Sequence, residues 1–269
     1  MDFTQTKFRE LLRQLSNSGY ESITYEEYSK GKVSQRFVIL RHDVDLMPQN
    51  SMAIAKVEKE IGTKATYYFR AMPESWDEDV IKEIATMGHE IGYHYESLTT
   101  CKGDIKKAYR DFTKNLERLR ALAPVRTICM HGSPRSPYDS KDIWKSYSYQ
   151  DLGIVGEPYL TTDFSRMLYL TDTGRQWDGY KVSVRDKICS YQEEWNKKGW
   201  SFHSTDDIIR ALQENRLPDQ LMITTHPQRW NDFGISWIKE LIMQNIKNVV
   251  KSVLLTKKGL LKLKGSQII

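Results

Sequence analysis

The sequence predicts an α/β protein built on a parallel sheet, and three observations indicate this fold class. Helical and strand signals alternate along most of the chain. The strand segments are short and apolar, as in "FVIL" at residues 37–40, and such runs suit strands covered on both faces. The segments between them have helical patterns. Strand and helix in regular succession indicate parallel βα units, closed into a barrel or left as an open sheet.

The predicted elements follow one another in this rhythm. A first helix from about Phe3 to Ser16 ends before Gly19, which suits a left-handed cap. In order, the later elements are a strand at 37–40, a helix from about 49 to 61, a strand at 65–69, a helix at 77–88, a strand at 89–96, a helix from about 104 to 122, a strand at 126–130, a helix at 206–215, a strand at 220–225 and a last helix from about 235.

No internal repeat, low-complexity linker or break in composition divides the 269 residues, so we expect a single domain over residues 1–269. Residues 1–34 are expected to form an N-terminal helical extension. The chain is 39% apolar, enough for a sizeable core, and its net charge of +5 is mild. Lysines gather near the C-terminus in a pattern more typical of a solvated tail than of an anion-binding surface. No nucleic-acid-binding motif is present, so we expect no nucleic-acid partner.

The sequence favours a cytoplasmic location. No apolar run approaches the roughly 20 residues that span a bilayer, so no transmembrane segment is expected. The N-terminus "MDFTQTKFRELLRQL" carries an acidic residue early and has the pattern of an amphipathic helix, unlike a signal peptide. Three cysteines, at positions 101, 129 and 189, have irregular spacings that fit neither a disulfide framework nor a zinc knuckle.

A cluster of charge follows the strand "FVIL", where the chain continues as "RHDVDL". In parallel sheets the carboxyl ends of the strands open onto the catalytic face. The strand period places Asp43 and Asp45 on one face and His42 on the other. Two adjacent carboxylates repel each other unless a cation or a shared proton intervenes. The alternative is structural, with Asp45 forming a turn or capping the helix that follows.

Five of the six histidines lie within a short predicted strand or at the end of a strand. The six are His42, His89, His94, His131, His203 and His226. Several imidazoles at one face of a parallel sheet indicate a metal or acid–base site, although a single histidine is more often structural. His89 and His94 are five positions apart, which differs from the H-E-x-x-H spacing and puts them on opposite faces of a strand. His94, nearer the end of its strand, is therefore the better metal ligand.

Four segments, "VILRHDVD", "GHEIGYHYES", "HGSP" and "LMITTHPQRW", resemble in this order the motifs of the polysaccharide deacetylase (NodB-homology) superfamily of carbohydrate esterases. They extend from about Val38 to Trp230, and the greater similarity is to members associated with surface-polysaccharide biosynthesis, that of lipopolysaccharide or capsule. The resemblance implies a polysaccharide deacetylase-like fold, a distorted (β/α) barrel of about seven parallel strands. It also implies hydrolysis of sugar N-acetyl groups with a divalent metal, zinc in the first place and cobalt or nickel as alternatives.

The resemblance also implies roles for single residues. Asp43 matches the family's aspartate base, and Asp45 matches its aspartate ligand. His94 matches a ligand histidine, and His226 matches the general acid. The family's other ligand histidine, four residues after the first, is replaced here by Leu98, and "HGSPRSP" stands where the family has an arginine motif.

These departures mean that the site has lost its metal or that a different residue completes it. A catalytic zinc usually has three protein ligands and a water. His131, at the end of a neighbouring predicted strand, is the first candidate for the missing ligand. Glu96, two residues beyond His94 and on the same face if the strand persists, is the second.

The leading hypothesis is a metal-dependent carbohydrate N-deacetylase that acts on an N-acetylated sugar of a surface polysaccharide or its precursor. In this hypothesis Asp43 takes a proton from the attacking water, and His226 protonates the departing amine. Trp177 and Trp230 are expected to stack on a sugar ring, unless they belong to the core or its rim. Arg185 is expected to orient the substrate or the base, unless it belongs to a surface ion pair.

Two other functions are open at this stage. One is a catalytically inactive glycan-binding or scaffold protein on the same barrel, which Leu98 favours and the retained aspartates and histidines disfavour. The other is a metal-free hydrolase of a different C–N bond, such as that of a cyclic amide. The metal content of the protein separates these hypotheses.

Overall fold

The computed structural model describes residues 1–133, 136–178, 187–232, 234, 237–238 and 241–242. Its strands are β1 (Glu21–Ile23), β2 (Phe37–Val44), β3 (Thr66–Phe69), β4 (Glu90–Tyr95), β5 (Val125–Met130), β6 (Leu168–Thr171) and β7 (Gln220–Thr225). Its helices are α1 (Gln5–Asn17), α2 (Tyr25–Ser29), α3 (Pro48–Ile61), α4 (Glu78–Thr86), α5 (Ser97–Thr100), α6 (Ile105–Arg120), α7 (Pro158–Thr161), α8 (Cys189–Lys197) and α9 (Thr205–Gln213). The last predicted helix, from about residue 235, lies largely outside the described residues.

All seven described strands belong to one sheet, and every pairing between them is parallel. The order is β5-β4-β3-β2-β7-β6, with β1 also paired to β2. The central strand β2 is buried along its whole length. Its apolar part, residues 37–40, was predicted, and the strand continues through the charged residues that follow. The predicted α/β class with about seven parallel strands is confirmed.

The two ends of this strand order are β5 and β6, and no backbone pairing between these two strands occurs among the described residues. The segment that follows β5 lies beside that edge, since Gly156 forms a parallel bridge with Thr127. Glu157 accepts a hydrogen bond from the Met130 amide at 2.9 Å. The Tyr159 hydroxyl lies 3.2 Å from Nη2 of Arg41 on β2, from which it accepts a hydrogen bond. An irregular segment thus links the β5 edge to Arg41 on strand β2.

The first 34 residues contribute to both the core and the sheet. Thr4 caps α1 by accepting a hydrogen bond from the Lys7 amide, and the apolar side of the helix is buried. Gly19 follows the helix at φ +80°, in the left-handed region that the sequence predicts for it. Strand β1 then pairs with β2 over residues 37–39, so this segment contains a strand as well as helices.

The outward side of β2 packs on α3 through a buried polar cluster. His42 Nε2 lies 2.7 Å from Glu58 Oε1, and the Tyr67 hydroxyl donates to Glu58 Oε2 at 2.5 Å. His89 Nδ1 lies 3.6 Å from the same carboxylate. Burial raises the pKa of Glu58, but His42, His89 and Tyr67 outweigh it and hold that pKa below its ordinary value. These two histidines therefore have a structural role, on the opposite strand faces from Asp43 and His94.

Within the described residues, no helix is both long enough and apolar enough to cross a bilayer.

Candidate metal centre and active site

The candidate residues meet at the carboxyl ends of the parallel strands. This is the edge of the sheet where parallel α/β folds place their active sites. Asp43 lies on β2 and Asp45 directly follows it, His94 lies on β4, His131 follows β5, Asp172 follows β6 and His226 follows β7.

Three of these side chains form a group with the composition of a metal site. Nε2 of His131 and Nε2 of His94 lie 3.4 Å and 3.6 Å from Asp45 Oδ1. The ligand atoms of all three residues are within 4.8 Å of one another. Asp45 Oδ1 is buried and has no hydrogen-bond partner, which is costly for a carboxylate oxygen. One carboxylate and two imidazoles are ligands that zinc prefers, so the residues present fit a divalent cation.

The alternative role for Asp45, as the cap of the following helix, is not observed. The N-cap of α3 is Met47, and it makes no side-chain cap hydrogen bond. The carboxylate of Asp45 is directed instead toward the histidines. Burial raises the pKa of Asp45, but His131, His226 and His94 outweigh it and keep the pKa below its ordinary value.

His94 is held in the tautomer that a metal requires. Its Nδ1 donates a hydrogen bond to the main-chain oxygen of Cys129 at 2.9 Å, so the lone pair of Nε2 faces the two aspartates. Burial lowers the pKa of His94 to about 4. The ring is therefore neutral near pH 7, which is the form that binds metal.

His131 is held from its other side by Glu96. Nδ1 of His131 lies 3.1 Å from Glu96 Oε2, and Glu96 Oε1 accepts hydrogen bonds from Nε and Nη2 of Arg70 at 3.0 and 2.7 Å. The geometry favours His131 over Glu96 as the third ligand. Position 98 provides no metal ligand, because leucine has an aliphatic side chain. Leu98 is buried in a small apolar cluster with Ala108 and Ile143.

The other aspartate, Asp43 on β2, has a different environment. Asp43 accepts two hydrogen bonds from Arg41, from Nε at 2.8 Å and from Nη2 at 2.5 Å. Both side chains are buried. Burial raises the pKa of Asp43, but the Arg41 guanidinium, His94 and His226 outweigh it and hold the pKa below its ordinary value. Asp43 is therefore an oriented carboxylate at neutral pH, and its Oδ2 lies 3.6 Å from Nε2 of His94. Asp43, His94 and Cys129 form a second set of side chains that could hold a cation.

His226 belongs to a second buried network. Its Nδ1 lies 2.6 Å from Asp172 Oδ1, and its Nε2 lies 3.8 Å from Asp45 Oδ2. Asp172 also accepts hydrogen bonds from Arg229 Nη1 at 2.6 Å and from Trp230 Nε1 at 2.8 Å. Burial and Arg229 lower the pKa of His226, but the carboxylates of Asp172 and Asp45 outweigh them and raise it above its ordinary value.

Two other residues of the candidate site, Arg41 and Asp172, were not predicted from the sequence. Arg41 lies two positions before Asp43, so the strand period alone puts both on one face. Asp172 had no comparable signal, because "TDTG" has the composition of a turn. Only the pairing of β6 with β7 brings Asp172 to His226.

The predicted sugar-stacking tryptophans need correction. Trp230 is fully buried and packs against Phe3 and Phe8, and Trp177 is 4% exposed and donates to the Thr205 hydroxyl. Neither ring has a free face for a sugar, so both belong to the core. Arg185, the other predicted substrate contact, lies outside the described residues.

No protein-family model and no curated protein sequence matches the chain. Among solved structures, a Streptococcus mutans CE4 esterase is similar at 13% identity and a TM-score of 0.45, over 88% of this chain and 89% of that chain. Bacillus subtilis PdaA, a family 4 carbohydrate esterase, is similar at 11% identity and a TM-score of 0.38, over 86% of this chain and 82% of that chain.

A CE4 family pseudoenzyme from Bacillus anthracis is similar at 13% identity and a TM-score of 0.43. The match covers 81% of this chain and 62% of that chain, so the sequence spans less than two thirds of that relative. Similarity at such low sequence identity concerns the fold alone. Any activity has to be inferred from the side chains of this chain.

Proposed function

We propose that this chain is a metal-dependent hydrolase that removes the N-acetyl group from a sugar of a surface polysaccharide or of its precursor. The observation that carries the proposal is the partnerless, buried Oδ1 of Asp45, which faces Nε2 of both His94 and His131. On either side of this group are an oriented carboxylate, Asp43, and a histidine with a raised pKa, His226. Metal-assisted hydrolysis of an amide uses these three functions together.

Asp45, His94 and His131 would hold the cation. A divalent metal bound there polarises the acetyl carbonyl and lowers the pKa of a nearby water. The neutral form of His94, fixed by its hydrogen bond to the Cys129 carbonyl, keeps a lone pair available for it.

Asp43 acts as the general base in this proposal. Its carboxylate takes the proton from the water whose oxygen bonds to the acetyl carbon. Arg41 keeps the Asp43 carboxylate charged and fixes its direction through two hydrogen bonds. The low pKa of Asp43 makes it a modest base. Such a base is adequate for a water whose pKa would already be lowered by the metal.

His226 completes the reaction as the general acid. Because Asp172 holds the proton on Nδ1, the transferable proton of the imidazolium is the one on Nε2. The C–N bond breaks as the sugar nitrogen takes this proton, and the products are acetate and a free amine. The raised pKa of His226 keeps a useful fraction of the ring protonated near neutral pH.

The test is to measure metal content and acetate release on the same preparation, after loading with zinc, cobalt or nickel. We expect about one ion per chain, and release of acetate from an N-acetylated oligosaccharide that stops when a chelator removes the ion. Neither metal nor turnover would support an inactive glycan-binding protein. Turnover without metal would support the metal-free hydrolysis of a C–N bond.

A further inference from the structure

Both carboxylate oxygens of Glu96 have side-chain partners, which are His131 and Arg70. Glu96 directly follows β4 and is largely buried, with its side chain 13% exposed. Oε2 lies 3.1 Å from Nδ1 of His131. Oε1 accepts two hydrogen bonds from Arg70, at 3.0 and 2.7 Å.

Arg70 connects Glu96 to a second part of the metal group. The residue directly follows β3, and its Nη1 donates to the main-chain oxygen of Asp45 at 2.9 Å. One guanidinium therefore contacts the backbone of one candidate ligand and, through Glu96, the side chain of another. The planar fork of arginine suits this double task, because its donors keep fixed directions relative to each other.

We infer that Glu96, clamped by Arg70, is a positioning residue that fixes the ring of His131 for metal binding; this rests on the metal site of the proposed function. A metal-binding histidine commonly donates its other N–H to a carboxylate, which sets the tautomer and raises the basicity of the ligand nitrogen. Donation from Nδ1 to Glu96 leaves the lone pair of His131 Nε2 directed at Asp45 Oδ1, 3.4 Å away. Leu98 cannot bind a metal. The hydrogen bond from His131 to Glu96 makes His131 an effective ligand in its place.

The experiment compares Glu96→Ala and Glu96→Gln with Glu74→Gln. Glu74 is a matched control, because it accepts a hydrogen bond from the same Arg70 at 3.2 Å, yet its side chain is 46% exposed and contacts none of the three candidate ligands. The zinc dissociation constant is measured by competition with a chromophoric chelator. The visible absorption spectrum of the cobalt-loaded protein reports the geometry of the ligands independently of activity.

We expect Glu96→Ala to weaken zinc binding by about 10- to 100-fold and to alter the cobalt spectrum. Glu96→Gln should lie between Ala and the parent protein, since its amide oxygen still accepts the Nδ1 proton but carries no charge. Glu74→Gln should bind zinc as the parent does. If the Ala variant does not fold, the isosteric Gln variant still decides the question.

The inference is overturned if both Glu96 variants bind zinc as tightly as the parent, with an unchanged cobalt spectrum, while His131→Ala loses the metal. A failure of the metal site itself looks different. In that case the parent protein binds no zinc or cobalt, or His131→Ala binds as tightly as the parent, and the proposed function falls together with the inference.

Discussion

Asp43, on β2, and Asp45, directly after this strand, are two residues apart and have different partners. Asp43 is tied to Arg41 by two hydrogen bonds, whereas Asp45 has an oxygen without a partner that faces two imidazoles. A carboxylate already bound to a guanidinium has less freedom to ligate a cation. The proposed roles, with Asp43 as the base and Asp45 as the ligand, rest on this difference.

Replacement of Asp43 by Asn should therefore remove turnover and leave the metal in place. Asn keeps the shape of the side chain but accepts no proton, and loss of a general base typically costs about 10²–10⁴-fold in rate. The measurements are elemental analysis and acetate release on the same sample. Loss of metal in Asp43→Asn with retention in Asp45→Asn would reverse the two roles.

The pH dependence of turnover should reflect the two buried networks. Asp43 has to be ionised, so the rate should fall at low pH as the solution passes below its depressed pKa. His226 has to be protonated, so the rate should fall at high pH as the solution passes above its raised pKa. We expect a bell-shaped profile whose basic limb is missing from the residual activity of His226→Ala.

A change at Asp172 tests this assignment further. Asp172→Asn removes the main carboxylate that raises the pKa of His226 and leaves the opposing Arg229 in place. The basic limb should therefore move to lower pH, and circular dichroism checks that the variant is folded. A basic limb that stays in place in both Asp172→Asn and His226→Ala would show that His226 is not the general acid.

At the level of elements, strand β2 carries Asp43 of the candidate site on one side and a structural cluster on the other. His42 and Tyr67 contact the buried carboxylate of Glu58, which comes from α3. This cluster fixes the strand against the helix that follows it. The position of the two aspartates on the opposite side depends on that packing.

Glu58→Gln should destabilise the protein by about 1.5–3 kcal/mol, because it removes a buried carboxylate that is hydrogen-bonded to His42 and Tyr67. Tyr67→Phe, which removes one neutral donor to the same carboxylate, should cost about 1 kcal/mol. Urea unfolding measures both values. A cost of Glu58→Gln no larger than that of Tyr67→Phe would contradict a charged cluster.

The sign of the pH effect follows from the depressed pKa of Glu58. Its contribution to stability is complete above the pKa of an unfolded glutamate, about 4.3. It is lost as the pH falls through the lower pKa of the folded state. The parent protein should therefore lose stability more steeply below about pH 4.3 than Glu58→Gln does.

Local sequence patterns predicted the strands that carry the candidate site. The burial of individual side chains depends on long-range contacts, which these patterns do not contain. The period of two placed Asp43 opposite His42, and the ends of strands located His94 and His131. Nothing near Trp230 shows that Phe3 and Phe8 cover it, so its burial was not predictable from its own motif. The link between Tyr159 and Arg41 across the irregular segment likewise depends on tertiary packing.

At the scale of the whole molecule, the metal group joins strands that are distant in the chain. Asp45, His94 and His131 come from three different βα units, so an ion bound to all three ties these units together. A ligand that binds only the folded state stabilises it by about 2.7 kcal/mol at a hundred times its dissociation constant. Zinc should therefore raise the melting temperature of the protein, and a chelator should reverse the rise.

The matching control is His131→Ala, which removes one of the three ligands. Its melting temperature should respond much less to the same zinc concentration. An equal rise in both proteins would mean that zinc acts elsewhere on the chain, for example at surface carboxylates.

The most direct test of the central claim is a crystal structure of the zinc-loaded protein with anomalous data at the zinc absorption edge. We expect one strong peak, bonded to an Asp45 oxygen and to Nε2 of His94 and His131 at about 2.0–2.2 Å. Asp43 should remain bound to Arg41 beside it. An absent peak, or a peak ligated by Asp43, His94 and Cys129 instead, would contradict the assignment of the metal centre.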